Sequence, residues 1–334
     1  MSWRECYSSF AITFLFKGFD MSEEGLIIQR IEVKFDSSAA IRHNALYANG
    51  RMQIRVLVLI SGEDAQGNAV SLHGHSALET LRLIDYNSAA PLTGDWTASS
   101  RENHFAHDIK GGHARVSPLV PAAGNRLSDP SEVVQVFEYW VSSSRSGSMQ
   151  IAAEVILDGK RYRSNGQDGR DSSITLEAIS PRQYPIANFM LARTRVLDRP
   201  GLFERMEQHS LTLNAEGRLI HLLEWSSGTV QQETEYASEF FYSGDATKVS
   251  AGLRSYIGYI GPAFSDQVTA RTPSGFRTLR QDPGTISIIS HITAELQSKV
   301  IRREFLDLNV YDEYGTEHRI RINPDIANRS FTLS

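Results

Sequence analysis

The sequence predicts an all-β protein made of two sandwich-like antiparallel domains with few short helices. Three observations predict it. Runs alternating apolar and polar residues dominate from residue 26 onward. Clusters of Gly, Asn, Asp, Ser and Pro break those runs about every 8–12 residues, the spacing of short strands in sandwiches. Helical periodicity is confined to two short stretches, 201–208 and 246–256. The chain has 334 residues, 41% hydrophobic and 22% charged, which is ordinary globular composition. It is long enough for about two domains of ~150 residues each, and it excludes a collagen, a low-complexity polymer and a disordered chain.

In chain order, residues 1–20 read as a weakly ordered extension. Its apolar run, Phe10 to Phe16, is seven residues long, far below the roughly 20 needed to span a bilayer. No small-x-small cleavage site follows, and Met21-Ser-Glu-Glu-Gly offers a second start. The competing reading of 10–16 is an extra edge strand. The first strand is expected at 26–35. Asn49-Gly50 predicts a type I′ hairpin turn, because both of its positions need positive φ. Met52, Ile54, Val56, Val58 and Ile60 then share one face of a strand. Gly67-Asn68 predicts the next turn, and strands are expected at 79–86, 133–142, 149–157, 160–164 and 172–179. Residues 87–131, rich in Ser, Ala, Gly and Pro, read as a long loop region.

A break at Pro181 to Pro200 divides the chain into domains 21–190 and 191–334. Beyond it, Leu211–Leu223 reads as a hairpin folding at Asn214-Ala-Glu-Gly217. Strands are expected at 229–242, 285–294 and 301–311, with a turn at Asp312-Glu-Tyr-Gly-Thr316 into His318–Ile322. The hairpin of Ile301–Tyr311 with His318–Ile322, charged near one end and apolar on one face, is expected at a sheet edge, open to strand addition or subunit contact. The alternative is an interior hairpin covered by residues 276–296.

Residues 136–165 run from Val-Phe-Glu-Tyr-Trp-Val-Ser-Ser-Ser through Gly147-Ser-Met-Gln-Ile-Ala-Ala-Glu-Val to Leu157-Asp-Gly-Lys160 and Asn165. This segment resembles bacterial immunoglobulin-like domains, in which a Val-Ser-Ser run precedes a small-residue turn, an alternating strand and a short hairpin. No Cys–Trp–Cys framework accompanies it. The resemblance implies a sandwich, together with surface display or recognition; fold does not fix function.

Charge narrows the partners. Lys and Arg number 34 against 39 Asp and Glu, a net charge of -5. The densest basic stretch, Lys160-Arg-Tyr-Arg163, is flanked by Asp158, Asp168 and Asp171. That pattern argues against nucleic acid and against an anionic membrane surface. No segment reaches transmembrane length, so the sequence reads as a soluble chain, cytoplasmic or exported without a recognisable signal peptide. Cys6 is the only cysteine, and no intrachain disulfide can form.

Motifs for nucleophilic, nucleotide or dithiol chemistry are absent: there is no Gly-x-Ser-x-Gly, Walker A, Gly-x-Gly-x-x-Gly or Cys-x-x-Cys. Histidines do cluster. His73-Gly-His75 places two imidazoles at strand spacing, and His104-Phe-Ala-His107-Asp108 with His113 adds further donors for a divalent metal such as Zn²⁺ or Ni²⁺. The same Gly-rich surroundings suit solvent-exposed loop histidines. The oxygen-rich segment 158–171 reads as Ca²⁺ donors or as two consecutive turns. Glu233, Glu235 and Glu239 read as a solvated face or as a carboxylate set.

Trp96, in Thr93-Gly-Asp-Trp, and Tyr256 and Tyr259, in Tyr-Ile-Gly-Tyr-Ile-Gly, are candidate ligand-binding aromatics. Rigid aromatics on loops stack sugars or anchor a protein partner, whereas the same residues in strands fill a core. The leading expectation is a non-enzymatic structural or recognition protein: a subunit of a bacterial surface or phage-like assembly, or a secreted interaction factor, with a protein partner or self-association and no cofactor. The alternative is a carbohydrate-binding module or secreted hydrolase. A metal-dependent enzyme built on the histidines is the third class.

Overall fold

The computed structural model describes residues 25–35, 41–109, 133–243, 255–263, 265–272, 274–294, 305–325 and 327–334. Residues 1–20, Cys6 and His113 lie outside them, as does the helix expected at 246–256 up to residue 254; its last two residues, Ser255 and Tyr256, open the strand Ser255–Ile260. The described chain is all-β. Its helices are three short 3₁₀ turns, at Ser76–Thr80, Ile186–Asn188 and Pro200–Leu202. None of the described helices is long and apolar enough to cross a membrane.

Two sheets form the first half. One runs Ile27–Lys34, Ile54–Glu63, Gln135–Ser143, Trp96–Ser99, with Ala69–Val70 paired to Ile54–Glu63. The other runs His43–Tyr47, Ile174–Ile179, Gly147–Leu157, Arg82–Asp85, with Lys160–Arg163 paired to Gly147–Leu157. Their inner faces share one core: Met52, Ile54, Val56, Val58 and Ile60 pack with Ile151, Ala153, Val155 and Leu176. The period-2 reading of 52–60 therefore holds. Gly67-Asn68 turns a hairpin, its backbone tied by Asp64 Oδ1, which accepts from the amides of Gln66 and Asn68.

Asn49-Gly50 does not turn a hairpin. Tyr47 and Ile54 belong to different sheets, and the turn carries the chain across the sandwich. Asn49 Oδ1 accepts from the amides of Arg51 and Met52, which closes the corner through a side chain. One pairing is parallel, His43–Tyr47 with Ile174–Ile179, where an antiparallel sheet was expected.

The second half stacks three layers. The central sheet runs Phe189–Arg199, Glu204–Ala215, Ile286–Thr293, Ser255–Ile260, Ser238–Ser243. Its inner face packs Leu211, Ile288 and Ile260 against Trp225, Leu308, Val310 and Ile322 of a four-stranded sheet, Leu222–Ser226, Leu306–Asp312, Glu317–Asp325, Ser330–Leu333. On its outer face lies a two-stranded ribbon, Gln267–Thr272 with Gly275–Arg280.

Three expectations are corrected here. The helix at 201–208 is mostly strand, because Glu204–Ala215 is flanked by two partner strands that satisfy its backbone on both sides. The break at 181–200 contains the eleven-residue strand Phe189–Arg199. Finally, Leu306–Asp312 is interior, paired with Leu222–Ser226 on one side and Glu317–Asp325 on the other. Its apolar alternation is buried, so the edge expected at 301–311 does not exist over the described residues 305–311.

Strand pairing among the described residues stays within 27–179 or within 189–333. The halves meet through the turn at residues 312–316, which joins Leu306–Asp312 to Glu317–Asp325 and is buried throughout. The Ala106 amide donates to the Glu313 carbonyl at 2.7 Å, and Asn49 Nδ2 donates to the Tyr314 carbonyl at 2.8 Å. Tyr47 meets Tyr314 edge-on at 5.4 Å. Arg51 lies 3.9 Å over the Tyr311 ring and donates to Glu224 at 2.8 Å.

Buried carboxylates brace the sheets. Glu154, 0% exposed, sits between its cross-strand neighbours Arg82 and Arg163 and accepts from each at 2.6 Å. Burial pushes its pKa up, but the bonds from Arg163 and Arg82 outweigh burial and hold it below the usual range. Glu154→Gln keeps the shape and removes the charge between two guanidinium groups. The expected cost is about 2 kcal/mol, seen as a lower urea midpoint at unchanged slope.

Candidate functional site

The sequence-predicted aromatics are not on loops. Trp96 opens a strand and is 8% exposed. Tyr256 and Tyr259 lie within Ser255–Ile260 and are 4% and 2% exposed. Tyr256 donates to the Ser330 carbonyl at 2.7 Å, and burial raises both phenol pKa values. All three rings face core neighbours.

The histidines are dispersed among separate partners. His73 is exposed. His75 caps the Ser76–Thr80 turn, its Nδ1 accepting from the Ala77 amide at 3.0 Å. His107 has its two ring nitrogens 3.0 Å from the Gln53 carbonyl and 3.0 Å from Glu102 Oε1. His104 Nε2 lies 2.9 Å from Glu224 Oε1, and this contact, ahead of Arg51, lowers the Glu224 pKa. Asp108 is exposed. Among the described residues no three His, Cys, Asp or Glu side chains are grouped to hold a metal ion. The 158–171 segment forms two turns, at Asp158-Gly159 and at Gly166–Gly169, closed by the bridge Asn165 to Asp171. Glu233 and Glu235 are exposed in an irregular stretch that precedes the strand carrying Glu239.

A different surface collects the features of a contact site. The ribbon 267–280 is fastened to the central sheet by Val268 and Ala270, which pack on Met206, Ile257, Tyr259 and Ile289. Gln208 Nε2 donates to the Arg280 carbonyl at 2.8 Å, and Gln281 Nε2 donates to the carbonyls of Pro262 and Ser265. The Ala237 amide donates to the Thr269 carbonyl at 2.8 Å, which brings Tyr236 alongside.

On the outer side Arg271 lies 3.9 Å over the Tyr236 ring, and Tyr236 meets Phe276 at 5.7 Å. Arg271 and Phe276 are cross-strand partners. Phe276 is 62% exposed, more than any other large apolar side chain described. Glu233 lies 3.8 Å from Arg271 and completes the group. Tyr, Phe and Arg held rigidly and in the open are the residue types that dominate contact energy. Sequence reasoning missed this group. Its only local signals were the alternation Val268, Ala270, Thr272 and the turn residues Ser274-Gly275, and the pairing that gathers it depends on the fold.

No protein family matches the chain, and no curated protein resembles it in sequence. Among solved structures it is similar to the surface layer protein SbsC, domains 4–9, at 10% identity and a TM-score of 0.20; the match covers 92% of this chain and spans 31% of that one. It is also similar to the C-terminal domain of the Streptococcus agalactiae AgI/II polypeptide BspA, at 10% identity and a TM-score of 0.22, over 86% of this chain and 96% of that one. The C-terminal domain of the Streptococcus pyogenes antigen I/II-family protein AspA shares 8% identity at a TM-score of 0.21, over 86% and 97% of the two chains.

Proposed function

We propose that this chain is a non-enzymatic structural or recognition protein, a subunit of a surface or phage-like assembly or a secreted interaction factor, that works by protein–protein contact. The observation that supports the reading is the stack of Arg271, Tyr236 and Phe276 on a ribbon pinned to the central sheet. An exposed phenylalanine has no reason to be mounted so rigidly for the sake of the chain's own core, whereas a partner gains from an anchor that loses little entropy on binding. The segregation of strand pairing on either side of 180–188 supports a two-domain build, with the boundary near residue 190.

Size-exclusion light scattering beside a glycan array separates this reading from the carbohydrate-binding alternative. The expected result is concentration-dependent oligomers that weaken in Phe276→Ser, without sugar binding. A chain that stays monomeric and binds glycans contradicts it.

A further inference from the structure

We propose that the free edge of the strand Gly275–Arg280 pairs antiparallel with the same strand of a second copy, about a two-fold axis through Thr278. The inference rests on the contact reading above and names the occupant of that surface.

The strand pairs on one side with Gln267–Thr272, and no described strand pairs its other side. Phe276, Thr278 and Arg280 point outward and are exposed, while Arg277 and Leu279 turn toward the central sheet and are half-buried. An unpaired edge of this kind presents a row of backbone donors and acceptors to any extended chain. Val268 and Ala270 anchor the ribbon to the central sheet. Gln208 Nε2 already takes the Arg280 carbonyl at one end of the row, and the remaining groups, from Phe276 to the Arg280 amide, are the ones offered to a second copy.

Symmetry restricts the occupant. A two-fold perpendicular to the sheet keeps outer faces together, so residues of the same parity must face one another. Centring on Arg277 sets Arg277 against itself, which opposes like charges. Centring on Phe276 runs past the turn, and centring on Leu279 leaves only three residues of the strand paired. Centring on Thr278 pairs the strand from Phe276 to Arg280. Each Phe276 ring then faces the Arg280 guanidinium of the other copy, an attractive cation–aromatic pair made twice.

The longest free edge in this half behaves differently. In Phe189–Arg199, centring on Thr194 would set Arg193 against Arg195 of the second copy. In that register 189–199 opposes like charges, whereas 275–280 centred on Thr278 does not.

The test uses the full chain with its one native cysteine replaced, Cys6→Ser. Thr278→Cys in that background is expected to form a disulfide-linked dimer under mild oxidation. Facing Cβ atoms in an antiparallel pair lie about 4.5–5.5 Å apart, close to the reach of a disulfide. Thr269→Cys, on the inner strand, is the control and should stay monomeric. Sedimentation equilibrium of the unmodified chain should show a dimer whose population rises with concentration. Thr278→Pro should abolish that dimer with an unchanged circular dichroism spectrum. Equal cross-linking at 269 and 278, no cross-linking at 278, or a dimer that survives Thr278→Pro overturns this pairing. Oligomers that survive Thr278→Pro but weaken in Phe276→Ser would overturn the pairing while supporting the contact reading.

Discussion

Gly315→Val should cost about 2–5 kcal/mol of stability. Gly315 has φ of +78°, and a Cβ placed there would lie 2.5 Å from Arg51 Cβ and 3.4 Å from Phe105 Cδ1. Neither neighbour has room to retreat. Arg51 is pinned by its stack on Tyr311 and its bond to Glu224, and Phe105 belongs to the first core. The turn that carries Gly315 is the buried wedge between the halves, so the strain opens their junction as well as the hairpin. Gly67 supplies the control: it has φ of +79° and nothing within 4 Å. Gly67→Val should cost about 1–2 kcal/mol, the backbone part alone. Urea denaturation of the two variants checks the difference.

Acid should weaken the fold before ordinary carboxylates titrate. His209 is 1% exposed and packs edge-on against Phe331 at 5.2 Å. Burial, with Arg193 adding to it, lowers its pKa from 6.5 to about 4. The unfolded chain therefore binds this proton more readily than the folded one. Stability is full above pH 6.5 and falls as pH drops from there to about 4, by about 3 kcal/mol in total. Glu154 and Glu207 extend the loss to lower pH: burial raises their pKa values and paired arginines lower them further, so both must be protonated against their ion pairs. His209→Phe removes the ionisable group and keeps a ring against Phe331. The variant should lose the slope between pH 6.5 and 4.5 and keep the one below. Thermal denaturation across that range measures both.

Much of the fold was legible in the sequence, and specific residues show where legibility ends. Met52 through Ile60 alternate because one face of that strand is core, and the structure buries that face. Strands near 133–142, 149–157 and 172–179 were readable for the same reason. Asn49-Gly50 misled because turn chemistry fixes a local bend and says nothing of which sheet the next strand joins. The 201–208 stretch hid a strand because its charged members Glu204 and Glu207 are buried and paired, which breaks the alternation of polarity.

The contact group lay beyond sequence reasoning because Tyr236, Arg271 and Phe276 come together only through one ribbon pairing and one loop contact. Trp96, Tyr256 and Tyr259 stood out by their glycine neighbours. Gly258 and Gly261 serve close packing in the core instead: a Cβ on Gly258 would lie 2.9 Å from the Phe240 ring and one on Gly261 2.7 Å from Val268, while Gly94 supplies the positive φ of the turn before Trp96.

Hydrogen exchange of the full chain at low and high protein concentration tests the association surface most directly. Amides of 275–280 should gain protection as concentration rises, while those of the edge strand 189–199 stay unchanged. Exchange in 275–280 that is identical at both concentrations would contradict association through this strand.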